Sequence, residues 1–199
     1  KEVGAAVREA VGDDMLLMID PFHYYSRTQA LYLGKELEKL GFHWIEEPMD
    51  EHSTSSYVWL SEQLDIPVVG PETAEGKMHT RAEWIVRGAS DISRGGVGDV
   101  GGITPLMKVV HLCEAFNVAM EVHGGGSGNL HALCAMGIPG EMYERGLLHP
   151  FLDRPLQLYI ALRDRWGCGV GVAQHQARRS GITGEVATAA VLVSTLPRL

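Results

Sequence analysis

Three carboxylates recur at one interval. Asp20, Glu46 and Glu72 are each 26 residues apart, and each closes a short apolar run: 15–19, 43–45 and 66–69. Between the first two runs, Ser26 is placed to cap a helix in which Ala30, Leu33, Leu37 and Leu40 fall at helical spacing, and Gly41 stops it. The alternation continues with helices over 57–64 and 81–87 and a strand over 89–93. Thr104 then serves as N-cap, with Pro105 in the first turn, of a helix to Phe116. A strand over 118–122 ends at His123, and a short helix covers 129–136. One strand and one helix per repeat predict parallel strands with helices packed outside.

A doubly wound sheet and a TIM-type (β/α) barrel both satisfy that alternation. The polar residues favour the barrel. Asp20, Glu46, Glu72 and His123 all sit at or just past a strand end, and in a barrel those ends converge on one rim. No GxGxxG or GxxxxGK[ST] follows a strand, so nucleotide binding lacks support. Three converging carboxylates cannot all stay ionised without a cation, and an oxygen-only set suits Mg²⁺. The plainer alternative is that each carboxylate caps the helix that follows it.

Composition narrows the partners. The 199 residues carry a net charge of −8, with 45% hydrophobic and 21% charged side chains, and offer no basic surface for nucleic acid or an anionic membrane. No apolar run reaches the ~18 residues of a membrane span, and the first residues do not read as a signal peptide. Cys113, Cys134 and Cys168 lie far apart, as expected of reduced thiols in a cytoplasmic protein. Charge changes sharply near residue 150: residues 1–150 have a net charge of −11, and 151–199 of +3 with no lysine.

The segments Met18-Ile19-Asp20-Pro21, Trp44-Ile45-Glu46-Glu47-Pro48, Gly70-Pro71-Glu72, Gly101-Gly102-Ile103-Thr104 and Glu121-Val122-His123 resemble, in that order, the mandelate racemase group of the enolase superfamily. The resemblance spans about residues 5–150. It implies a barrel whose third, fourth and fifth strands end in the Mg²⁺ ligands Asp20, Glu46 and Glu72. Glu47, the second acid of its motif, is then not a ligand. It also implies His123 as acid/base and, with a one-residue adjustment, Glu144 as the acid that contacts a substrate carboxylate. Mg²⁺ paired with a His or Lys is the chemistry of that superfamily, in which an enediolate forms beside the carboxylate.

Three departures stand out. The superfamily's orienting aspartate would fall at Gly96, and Asp99 is the better substitute, since Asp91 belongs at the other end of its strand. The Lys-x-Lys base, the first two strands and the N-terminal capping domain would all precede Lys1, which leaves about six βα units and exposed strand edges. Residues 151–199 do not continue the resemblance. They are expected to be an atypical tail, either frame-shifted, unrelated or divergent, in which His175 and Cys168 have no role.

His23 and Arg94, together with Asp99, are candidate substrate-binding residues; Lys77 is a weaker one. Trp44, Trp59 and Trp84 are expected in the core, and the glycine runs at 95–98 and 124–126 in tight loops. The expected activity is Mg²⁺-dependent dehydration of a sugar acid (aldonate or aldarate) by a cytoplasmic homo-oligomer. Racemisation, epimerisation, cycloisomerisation and an inactive metal-binding fragment remain open beside it.

Overall fold

The computed structural model describes residues 2–138, 142–144 and 190–193. The elements run α1 (Glu2–Val11), β1 (Leu17–Asp20), α2 (Arg27–Lys39), β2 (Trp44–Glu46), α3 (Thr54–Gln63), β3 (Val68–Val69), α4 (Met78–Arg87), β4 (Ile92–Gly95), α5 (Val97–Val100), α6 (Ile103–Phe116), β5 (Ala119–Val122), α7 (Ser127–Ala135) and β6 (Ala190–Val193). All strands pair in parallel, in the order β5-β4-β3-β2-β1-β6. Consecutive strands are neighbours from β1 to β5 with no reversal. That is the winding of a barrel, not of a doubly wound sheet.

The described residues contain five βα units rather than six. The sixth strand comes from the C-terminal tail and pairs with the free edge of β1, in register from Leu17↔Ala190 to Asp20↔Val193. Beyond β5, a parallel bridge joins Val122 to Tyr143. The tail's remaining residues, Cys168 and His175 among them, lie outside the described residues.

Side chains alternate across the sheet, as the two-residue period of a strand requires. Leu17, Ile19, Ile45 and Val68 pack outward with Leu33, Leu37, Tyr57, Leu60 and Trp84 of the helices. Ile85, Leu106, Val109, Met120 and Val122 build the corresponding layer around α6. On the inner face, Met18, Trp44 and Val69 pack together with Ile92. Two residues further along their strands, the same face carries Asp20, Glu46 and Arg94. The inner layer therefore changes from apolar to charged at the strands' C-terminal ends.

Several boundaries depart from the sequence reading. Ser26 begins α2 as expected, with its N–H on Gln29 Oε1 at 3.0 Å. Gly102, with φ of 132°, precedes α6, so Thr104 lies inside the first turn instead of capping it, and Pro105 is in that turn as expected. The fourth strand starts at Ile92, not Ala89. Ser90 Oγ donates to the Gly70 carbonyl and Asp91 accepts from the Val68 N–H, so both side chains serve the strand's entry. Asp91 thus sits at the strand end remote from the carboxylates. Trp44 and Trp84 are buried, whereas Trp59 lies at the core's edge under the Arg27 guanidinium, 4.0 Å from the ring centre. The sequence reading contains neither α1 nor α5; α1 does carry Val3, Val7 and Ala10 at helical spacing, whereas α5 is too short to show a period.

Arg81 of α4 joins this frame to the strand ends. It is fully buried, and its guanidinium donates to the carbonyls of Arg94 (2.7 Å), Glu72 (2.7 Å) and Lys77 (2.9 Å). Gly95 leaves room for it, since a Cβ there would lie 2.7 Å from Arg81 Nε. Substituting Arg81→Met strands the buried carbonyls of Arg94 and Glu72. It is expected to lower unfolding stability by about 3 kcal/mol or more, read as a fall in the urea midpoint, with Arg81→Lys recovering only part.

Candidate active site

Each polar side chain on the inner face owes its place to strand alternation. Asp20 ends β1, where its Oδ1 accepts the Phe22 N–H at 2.9 Å. Glu46 ends β2 and is 1% exposed. Glu72 lies three residues past β3, its carbonyl held by Arg81. Arg94 comes from β4, His123 directly follows β5, and Glu144 directly follows the Tyr143 bridge.

Arg94 is the hub. Its Nε lies 2.5 Å from Glu46 Oε1 and 3.6 Å from Glu72 Oε2, and its Nη2 donates to Glu144 Oε2 at 2.7 Å. The Glu46 contact is an ion pair, and Glu46 Oε1 makes no hydrogen bond. Glu144 also accepts the Gly124 N–H at 2.7 Å. The sequence made Arg94 a candidate for binding substrate oxygens. The structure instead buries it among carboxylates of the protein, because four acids on one rim need a counter-charge.

The carboxylates bear the marks of that crowding. Burial raises the pKa of Glu46, a rise that Arg94 opposes and Asp20 adds to. Glu72 is pushed up to about 10 by burial and by the negative charges of Glu47 and Glu46. Asp20 is raised as well, chiefly by burial. For Arg94, burial works against the charged form, but Glu46, Glu144 and Glu72 outweigh it and the pKa rises.

His123 and Asp99 meet on the same rim. His123 Nδ1 is 2.8 Å from Asp99 Oδ2, and Nε2 is 3.1 Å from Glu72 Oε1. Asp99 also accepts the Gly96 N–H at 2.6 Å. Burial alone would lower the His123 pKa; the hydrogen bond and charge of Asp99, helped by Glu144, reverse this and raise it. Burial pushes Asp99 up, and His123 and the Gly96 N–H together pull it below its ordinary value. A Cβ at Gly96 would lie 2.3 Å from the His123 carbonyl oxygen. The position where the resemblance puts an aspartate therefore has no room for any side chain, and the one-turn helix α5 brings Asp99 to His123 instead.

His23 does not join this group. Phe22 and His23 both adopt positive φ, and the imidazole turns to Glu47, with Nε2 3.0 Å from Oε2. Glu47 follows Glu46 and so faces the opposite side. Lys77 precedes α4, where its carbonyl accepts from Arg81 at 2.9 Å. Sequence reasoning missed Arg81, whose helix looked merely amphipathic, and Glu51, which accepts the N–H groups of Glu72, Thr73 and Ala74, each at 2.7 Å. Nothing in the spacing marks either one.

The donor chemistry of Asp20, Glu46 and Glu72 fits a hard divalent cation. All three offer oxygen only, Glu46 Oε1 is buried without a donor, and a guanidinium occupies the position of a cation between Glu46 and Glu72. The three are not drawn to coordination distance around Arg94. Among the described residues, the trio of ligand atoms within 4.8 Å of one another is His23, Glu47 and Glu51.

The chain is similar to known proteins. L-talarate/galactarate dehydratase of Salmonella typhimurium is 31% identical over 193 residues, which cover 90% of this chain and 46% of that protein. Arabinonate dehydratase of Saccharolobus solfataricus is 35% identical over 149 residues, 70% of this chain and 39% of that protein. The crystal structure of D-glucarate dehydratase from Agrobacterium tumefaciens complexed with magnesium superposes with a TM-score of 0.72 at 64% identity, over 77% of this chain and 40% of that one. The chain thus spans less than half the length of these relatives. No helix among the described residues is long and apolar enough to cross a membrane. A family model described as enolase C-terminal domain-like matches residues 2–178, which carries the likeness past the change in charge near residue 150. Barrel-wound parallel strands, acids at successive strand ends and that match together make this chain a member of the enolase C-terminal domain-like family.

Proposed function

We propose that the protein of which this chain forms part dehydrates a sugar acid, an aldarate or aldonate, with Mg²⁺ held by Asp20, Glu46 and Glu72. The observation that carries the reading is the His123–Asp99 pair set 3.1 Å from Glu72 on a rim of buried acids. The names of the relatives support it, since those proteins are dehydratases of talarate, galactarate, arabinonate and glucarate. Mg²⁺ bound there would supply positive charge to a substrate carboxylate while a general base, the role that the resemblance gives to a Lys-x-Lys motif, takes the proton from the neighbouring carbon.

The chain's own residues supply the other half of the elimination. Asp99 fixes the tautomer of His123 by holding Nδ1, which leaves Nε2 to carry a proton toward the rim. His123 gives that proton to the departing β-hydroxyl, and water leaves as the C–O bond breaks. The resulting enol tautomerises to a 2-keto acid, so nothing is oxidised or reduced. Asp99 keeps His123 protonated at higher pH than a free imidazole, which suits an acid better than a base. Glu144, tied to Arg94 and the Gly124 N–H, lies beside the space where a substrate carboxylate would sit. A divalent cation held by Asp20, Glu46 and Glu72 would take over the counter-charge that Arg94 gives Glu46 and Glu72, and Arg94 would then be available to substrate oxygens.

Incubation with Mg²⁺ and a panel of aldarates and aldonates tests the reading through formation of 2-keto acid. Product is expected from at least one sugar acid, and His123→Asn is expected to lower turnover by about a thousandfold. A racemised or epimerised acid without 2-keto product would contradict it.

The pair also sets a pH window of stability in the metal-free protein. The raised pKa of His123 contributes stability below the ordinary imidazole range and loses it as pH rises through the raised value. The lowered pKa of Asp99 contributes above the ordinary carboxylate range and loses it as pH falls through the lowered value. The difference in urea midpoint between wild type and Asp99→Asn is therefore expected to be widest between about pH 4 and 6.5 and to narrow on both sides. A difference that does not vary with pH would contradict the pairing.

A further inference from the structure

A second group of ligand-bearing side chains lies on the far side of the β2 end. His23, Glu47 and Glu51 each offer one atom within 4.8 Å of the others. Glu47 and Glu51 are 0% and 4% exposed, and the ion pair each forms is with His23. One imidazole cannot balance two buried carboxylates. Nε2 carries at most one proton, which can serve Glu47 Oε2 at 3.0 Å while Glu51 Oε2 stands 4.0 Å away. Glu47 Oε1 remains buried with no hydrogen-bond partner. Leaving such an oxygen unsatisfied costs free energy unless something else occupies the space beside it.

The cluster is held in place from outside. Three main-chain N–H groups of residues 72–74 and the Thr73 hydroxyl fix the Glu51 carboxylate. The His23 main-chain N–H donates to the Glu47 carbonyl at 2.9 Å, and Phe22 stacks on the imidazole with ring centres 5.0 Å apart. A cavity of about 320 Å³ borders the cluster, lined by His23, Glu51, His52, Thr73, Glu75 and Trp84 among others. It leaves an open side for water ligands.

We propose that His23, Glu47 and Glu51 form a second divalent-cation site, separate from the strand-end carboxylates, for a first-row ion such as Zn²⁺. A mixed imidazole and carboxylate set favours such an ion over Mg²⁺, which prefers oxygen alone. Glu47 would ligate through the oxygen that has no partner. The cation would neutralise both carboxylates at once, and water from the cavity would complete its coordination. The site does not depend on the dehydratase reading, because Glu46 and Glu47 face opposite sides of the strand end.

Calorimetric titration of Zn²⁺ into the full chain, with millimolar Mg²⁺ present, separates the two sites. One Zn²⁺ per chain is expected to bind. His23→Asn and Glu47→Gln are each expected to weaken it by at least about 100-fold, while Glu72→Gln leaves it unchanged. Circular dichroism establishes that each variant is folded; should Glu47→Gln fail to fold, the partly exposed His23→Asn decides. Absence of Zn²⁺ binding, or binding that His23→Asn leaves at the wild-type level, overturns the second site. Binding lost in Glu72→Gln but kept in His23→Asn also overturns it, by assigning the ion to the inner rim.

Discussion

The strand ends answer to one electrostatic constraint: among the described residues, the Arg94 guanidinium lies against the buried carboxylates of Glu46 and Glu72, with Asp20 and Glu144 beside them. Burial raises the pKa values of Asp20, Glu46 and Glu72, and the charge of Arg94 opposes each rise. Arg94 is placed by β4, and Arg81 holds the carbonyls of both Arg94 and Glu72 from behind. The helices thus do more than cover the sheet. Through Arg81, α4 fixes the spacing of the two strand ends between which a cation would have to sit.

Alternation along the strands then separates functions that are neighbours in sequence. Met18, Trp44, Val69 and Ile92 fill the inner layer, and Asp20, Glu46 and Arg94 follow on the same face. Glu46 and Glu47 are adjacent residues, yet one meets Arg94 and the other meets His23. Two groups of acids with different partners therefore arise from one short motif. One group offers only oxygen, and the other adds an imidazole.

Much of this was legible in the sequence. The 26-residue interval of Asp20, Glu46 and Glu72 gave the parallel strands and the rim on which they end, because a strand–helix repeat of fixed length returns the chain to the same edge. The place of His123 followed from the same logic. Asp99 was legible only by elimination, as the acid left once Gly96 could not serve; α5, which presents it, is too short to show a period. Arg94 and His23 were noticed near strand ends, but not the carboxylates they meet. Sequence spacing says that a residue is near a strand end, whereas the partner it turns to depends on charge balance across strands and on the positive φ of Phe22 and His23. Arg81 and Glu51 act on main-chain groups far along the chain, and such bonds leave no trace in residue patterns. The pairing of β6 with β1 was likewise invisible, since nothing local links Ala190 to Leu17.

The central claim is that the inner carboxylates exchange Arg94 for a divalent cation. Crystals grown with Mn²⁺ in place of Mg²⁺ test it through the anomalous signal of the metal. The account expects a peak within about 2.5 Å of a carboxylate oxygen from each of Asp20, Glu46 and Glu72, with the Arg94 guanidinium displaced from Glu46. Density that keeps Arg94 on Glu46, with no anomalous peak among those three residues, would contradict it.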